Sequence, residues 1–458
     1  DFGINGVSTG GQSLTVEAAS ARAILPAMGQ QVALDQVSIA SQDATLRGSA
    51  NVTDLDATGT LVVDLNSASG GLIEVVATDG DILFDDASSI SGGEQLVLRT
   101  VDTSGSTPRT VRVGEVGTNG RLESLEISSD NAELWGDILT AGGDIGVFAN
   151  VAVRDSITLD TQLDGAGGDA GDVRFAQAGE SFDAVPASGL VLNIDATATS
   201  GEGGEIVLPT GFFQGFDQVT LAAGQITLDN DISIEGGLTL IGDIILADTR
   251  SVDTNTDDLG DSGALNLTDA IFSGLTNDLT LTLNTSTSEA GFTSGRVDLG
   301  GFEDGGDRSF VSGVQVEAGG VGAGAASNDV HLRRDIRLDG ADPRFVVLTE
   351  GTLFVTRSSV IAVSLAGDPA SMGAGGLIDV SGVGSLQAGE AGAGLSLVTG
   401  QEGEIVLGRV ERGSESLASL MLDSASGLNR LTDSVEIYGA ATFRGDLTRV
   451  EQTLVIDT

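Results

Sequence analysis

Cysteine is absent from the 458 residues. That excludes disulfides, thiol chemistry and zinc–thiolate sites, so stability has to come from burial and backbone pairing. Lysine is absent too: all 21 basic residues are arginine, against 67 Asp and Glu, for a net charge of −46. With no basic patch to meet phosphate, neither nucleic-acid binding nor insertion into an anionic membrane is expected. No apolar run reaches the roughly 18 residues of a membrane-spanning helix. Aromatic residues make up 4%, with one Trp and one Tyr, and there is one His. A chain this poor in large side chains needs many thin core layers rather than one thick centre.

What is present is glycine (67 residues) together with a hydrophobic fraction of 40%. That combination differs from the apolar-poor signature of disorder, and the glycines lack the three-residue period of collagen. The apolar residues alternate. In Gly204–Leu246 they run Ile206/Leu208, Val219/Leu221, Ile226/Leu228, Ile232/Ile234 and Leu238/Leu240, with Gly, Asn, Asp and Gln between. Period two with turn residues between runs predicts short β-strands, and helical periodicity is missing. The acidic surface favours solubility, counterions and cationic partners. It is best tolerated where salt screens it, so a saline, calcium-containing setting is expected.

This pattern recurs. Leu25-Pro26, Val113-Gly114, Leu208-Pro209, Leu299-Gly300 and Leu407-Gly408 recur at intervals of roughly 90 to 108 residues. Each is followed by an alternating pair: Val37/Ile39, Leu125/Ile127, Val219/Leu221, Val314/Val316 and Leu420/Leu422. Turns of one kind follow at Gly136-Asp137-Ile138, Asn230-Asp231-Ile232, Arg334-Asp335-Ile336 and Gly445-Asp446-Leu447. Approximate super-repeats therefore span 1–94, 95–189, 190–278, 279–394 and 395–458, the last incomplete. A period of roughly 90 residues is too long for one solenoid rung and fits about four rungs of roughly 20–25 residues. The expected fold is all-β: a parallel β-helix (β-solenoid) of about 20 rungs forming one continuous segment, with aliphatic side chains stacked inside. A pair of antiparallel β-sandwiches explains the strands but not the long period, and a propeller needs a shorter one. Asp1 is not Met and the chain ends within an alternating run, so a segment of a longer protein is expected.

The copies VGEVGTNGRLESLEISSDNAELWGDILTAGGDI and DSITLDTQLDGAGGDAGDVRF resemble the repeat regions of filamentous-haemagglutinin-like exoproteins and related giant bacterial β-strand-repeat adhesins. The resemblance covers most of the chain in degenerate form. It implies a right-handed β-helix, secretion across a Gram-negative outer membrane and display at the cell surface. The absence of Cys is consistent with export in an unfolded state.

No catalytic, cofactor-binding or metal residue is assigned from the sequence. His331, the only His, sits opposite Val330 and Leu332 on a strand and has no second His to form a metal cluster. The paired acids Asp85-Asp86, Asp257-Asp258 and Glu303-Asp304 would point to opposite strand faces, unlike the two carboxylates of a glycosidase. The acidic loops Asp164–Asp172, Asp253–Asp261 and Glu303–Asp307 suit weak calcium binding, without EF-hand spacing or nonapeptide arrays. Arg444-Gly445-Asp446, an integrin-type tripeptide, occupies a repeat turn. Gly319–Gly324 and Gly389–Gly394 lack a phosphate-loop Lys and read as loops. The expected function is structural and non-enzymatic: a rigid extracellular stalk or fibre shaft. The alternatives are a filament subunit joined end to end and a carbohydrate-active β-helix enzyme. Partners would be further copies, other surface components or glycans. No cofactor is required.

Overall fold

The computed structural model describes residues 12–456 except 31, 64–70, 86–87, 104, 106, 163–167, 176–181, 186–188, 209–212, 256–260, 290, 304–307, 321–327 and 365–374. Among these residues the fold is all-β, with no helix. Internal contacts divide the chain into two compact units. One comprises Asp1–Phe216 with Thr220–Ile226, the other Asp217–Val219 with Thr227–Thr458. The division falls inside the strand Phe216–Leu228, not at a sequence-derived repeat boundary.

Within each unit, strands pair in parallel with strands one step earlier and later in the chain. In the first, one ladder runs through Leu14, Val37, Leu55, Ile82, Val111, Ala132, Val151, Phe182 and Phe213. In the second, a ladder runs through Leu281, Val314, Phe345, Ile378 and Ile405. Parallel pairing requires each chain segment to travel round and return in the same direction, so the turns and loops lie between ladders rather than within them. Leu72–Thr78 shows the resulting alternation: Ile73, Val75 and Ala77 are buried, while Leu72 is exposed and Glu74 half-buried. Each fully buried Val, Ile or Leu contributes about 1.5–3 kcal/mol.

The ladders add two features that the sequence pattern does not show. Val330 and Val435, about one period apart, share a ladder through Leu353, Leu386 and Val410, but the pairs Val37 and Leu125, and Val314 and Leu420, do not. Val37 leads to Ala132, whereas Leu125, seven positions earlier on the same strand, pairs with Leu96 and Ile145. Likewise Val314 leads to Ile405, while Leu420 pairs with Leu395. The reason is that ladder steps are unequal: Val37 to Leu55 is far shorter than Val151 to Phe182. A loop inserted at one corner leaves the pairing intact but shifts the sequence phase. The interior is also less uniformly aliphatic than expected. Phe182 packs edge-on against Phe175 (4.8 Å) and Phe213 (5.7 Å), and Phe272 stacks on Phe302 at 4.7 Å. Phe84, Phe216 and Phe345 are buried as well.

Two side-chain devices hold successive steps together. An aspartate directly before an apolar strand residue accepts the backbone N–H directly opposite it, one step on. Asp54 takes Asp81 N (2.9 Å), Asp81 takes Thr110 N (2.8 Å), Asp137 takes Thr158 N (2.7 Å) and Asp144 takes Asp172 N (2.9 Å). Asp172, Asp231, Asp329 and Asp335 do the same for Glu205, Ser251, Thr352 and Val360. Where the chain turns into a strand, that N–H has no backbone acceptor, and a carboxylate supplies a charge-assisted one. The second device closes loops. Asp160, Asp253 and Asn284 each accept the N–H two residues on. The Thr between, Thr161, Thr254 or Thr285, is buried and donates its hydroxyl to the carbonyl of Gly171, Gly263 or Gly295 at 2.7–2.8 Å. Each loop is thus pinned at its base whatever its length.

Candidate functional site

In the first unit, inward residues Ile73, Leu96, Leu125, Ile145 and Val173 form one ladder. Strand alternation turns their neighbours outward. Val97, Glu126, Gly146 and Arg174 accordingly form an outer row across four strands. Gly146 leaves a gap in that row, and the ring of Phe148 leans into it: a Cβ at Gly146 would lie 2.9 Å from Phe148 Cε2. A groove of about 430 Å³ results, lined also by Leu72, Gln95, Glu123, Ser124 and Asp144. Phe148 is 36% exposed and Leu72 55%. Arg174 pairs with Asp172 at 2.5 Å. The groove therefore offers an aromatic ring, hydroxyl and amide groups, and an excess of carboxylates. It suits an amphiphilic, uncharged or cationic ligand.

Two arginine clusters lie elsewhere. Glu133 is gripped by Arg112 and Arg154, each at 2.6 Å. Burial pushes its pKa up, but the hydrogen bonds and charges of the two guanidiniums outweigh that and hold it below the ordinary carboxylate value. In the second unit Asp298 bonds Arg296 (2.6 Å) and Arg333 (2.9 Å), and its pKa is lowered for the same reasons against the same opposition from burial.

His331 sits opposite Asp298 in the ladder, half-buried, with its ring 5.0 Å from that of Phe354. Burial lowers its pKa, and the positive charges of Arg296 and Arg333 lower it further against the attraction of Asp298 and Asp329. Its Nδ1 is buried without a partner. The strand position expected from sequence is correct. The close packing on Phe354 was not anticipated, because the two are far apart in sequence.

Among the described residues, the remaining sequence candidates are not brought together. Asp86, Asp257, Asp258 and Asp304 lie outside the described residues, as do the first part of the loop Asp164–Asp172 and most of Asp253–Asp261, Glu303–Asp307 and Gly319–Gly324. Where those acidic loops are described, their acids accept backbone N–H groups: Asp169 from Glu202 (2.9 Å), Asp172 from Glu205 (2.8 Å) and Asp261 from Thr293 (2.7 Å). Trp135 and Tyr438 are both engaged by arginines, Arg112 at 5.8 Å and Arg412 at 5.1 Å from the ring centroids. In Arg444-Gly445-Asp446 the Arg444 carbonyl accepts Asn429 Nδ2 at 2.7 Å and Gly445 has φ +148°, so the tripeptide is built into a turn. Its Arg444 side chain is exposed, 3.5 Å from Asp423. Phe148 and Gly146 belong to no motif in the sequence. The available signal was parity: in Gly146-Val147-Phe148-Ala149, Val147 and Ala149 are buried, so Phe148 has to face outward.

No protein-family model, curated protein or solved structure matches the chain.

Proposed function

We propose that the chain is a structural, non-catalytic segment of a secreted, surface-displayed bacterial exoprotein, acting as the stalk or fibre shaft of an adhesin. Each unit would be a right-handed parallel β-helix. The hand follows from the crossover rule: a strand returning parallel in the same sheet does so right-handedly in about 98% of cases. The observation that carries this reading is the in-register ladder from Leu14 to Phe213, reinforced at the Leu55–Ile82 and Ile82–Val111 steps by the carboxylates of Asp54 and Asp81. Continuous axial pairing makes a stiff support, and the chain needs no cofactor for that task; calcium bound by acidic loops would be auxiliary. The partners would be further copies, other surface components or glycans. Electron microscopy of the purified chain tests the reading. Discrete narrow rods support the shaft, end-joined fibres support a filament subunit, and compact round particles reject both.

A second reading, a carbohydrate-active β-helix enzyme, is favoured by one observation: Glu123, Glu126 and Asp144 line a groove beside the exposed Phe148. Release of reducing ends or unsaturated products from a polysaccharide panel would establish it. Complete inertness of the panel would remove it.

A further inference from the structure

We infer that the groove beside Phe148 is a binding site for an oligosaccharide carrying amino groups, and that it binds without turnover. The site is a property of the first unit alone and does not rest on the shaft reading. It shares its groove with the enzymatic reading but requires no bond cleavage.

Three features select a saccharide. Outward positions on successive strands repeat at about 4.7–4.9 Å, close to the length of one pyranose unit. The row Val97, Glu126, Gly146 and Arg174 therefore meets consecutive sugars in register. Gly146 contributes no side chain, and the Phe148 ring occupies the space it leaves, covering the buried Gly146 while remaining 36% exposed itself. An exposed ring held against the sheet suits the C–H face of a sugar, whereas Glu126 and Gln95 suit its hydroxyl edge. Phe148 is the aromatic residue in the lining of this groove.

Charge selects the amino group. Glu123, Glu126 and Asp144 line the groove, and its one arginine, Arg174, is already paired with Asp172. An anionic glycan would be repelled, and a neutral one would gain nothing from the charge of the carboxylates. An ammonium gains from both the carboxylates and the face of Phe148.

Isothermal titration of the full chain with a glucosamine tetramer tests this, beside a neutral glucose tetramer of the same linkage and an oligo-lysine peptide. Binding of the glucosamine oligomer should exceed that of the neutral one about tenfold and weaken with added salt. F148A and E126Q should each weaken it about tenfold. Both positions are exposed, and unchanged thermal unfolding would confirm that each variant is folded. Equal binding of neutral and amino sugars, binding of oligo-lysine alone, or unaltered affinity in both folded variants would overturn the proposal. So would shortening of the oligomer during incubation, which would instead establish the enzyme. Round particles in electron microscopy would reject the shaft while leaving this result untouched.

Discussion

Asp137 illustrates what a single residue does in this chain. It stands before Ile138 and accepts Thr158 N–H across one ladder step at 2.7 Å. Replacing it with Ala leaves that donor without its charged acceptor, which should cost about 1.5–3 kcal/mol by urea unfolding. Asp155, a nearby exposed acid whose carboxylate accepts only the adjacent Ser156 N–H, should change little when replaced. The acids Glu133 and Asp298 and the lone His331 each lose a stabilising contribution on acidification. The folded pKa of each acid lies below its unfolded value. Their stabilisation is therefore full above the ordinary carboxylate range and is lost as pH falls through the lowered folded values. His331 is also lowered, so the unfolded chain takes up its proton first. Its contribution is full above about pH 6.5 and declines below that until the folded value is reached. The urea midpoint should fall as pH drops below about 6.5, before the bulk of the carboxylates begin to protonate, and H331F should remove that fall.

At the scale of the element, a strand here is defined by its neighbours one step away in the ladder. Phe182 continues the ladder from Val151 to Phe213 and touches Phe175, Phe213 and Phe216. F182A should cost about 3–5 kcal/mol, read from chemical denaturation. Turns are equally demanding where the backbone is close. Gly117 has φ +81°, and a Cβ there would lie 2.0 Å from the Leu139 carbonyl oxygen. G117A should therefore destabilise by more than the roughly 1 kcal/mol expected from the dihedral alone, with the thermal midpoint as the measure. Loops behave differently. Thr161 and Gly171 pin the base of one loop, and its interior can change length without disturbing Leu159 or Val173. This is why the sequence period drifts while the ladders persist.

For the whole molecule, the charge of −46 is the dominant fact. Some carboxylates are fixed by backbone N–H groups or arginines, but the excess repels itself in the folded state. Raising salt from about 0.1 M to about 1 M shortens the screening length from about 10 Å to about 3 Å. The urea midpoint should rise across that range, and a flat or falling midpoint would count against a saline setting. The alternation of apolar residues, with no helical period and no cysteine, was sufficient by itself to determine an all-β chain held by burial and backbone pairing. It also placed Asp137, Asp231 and Asp335 at strand-starting turns, because local turn chemistry is written in adjacent residues. Only the tertiary structure decided which strands pair, since loop lengths between them are unequal and pairing partners lie a full ladder step apart. It alone turned those aspartates into caps for the next step, brought His331 onto Phe354, and opened the groove beside Gly146 and Phe148. Such contacts are long-range, and no local pattern encodes the register that creates them.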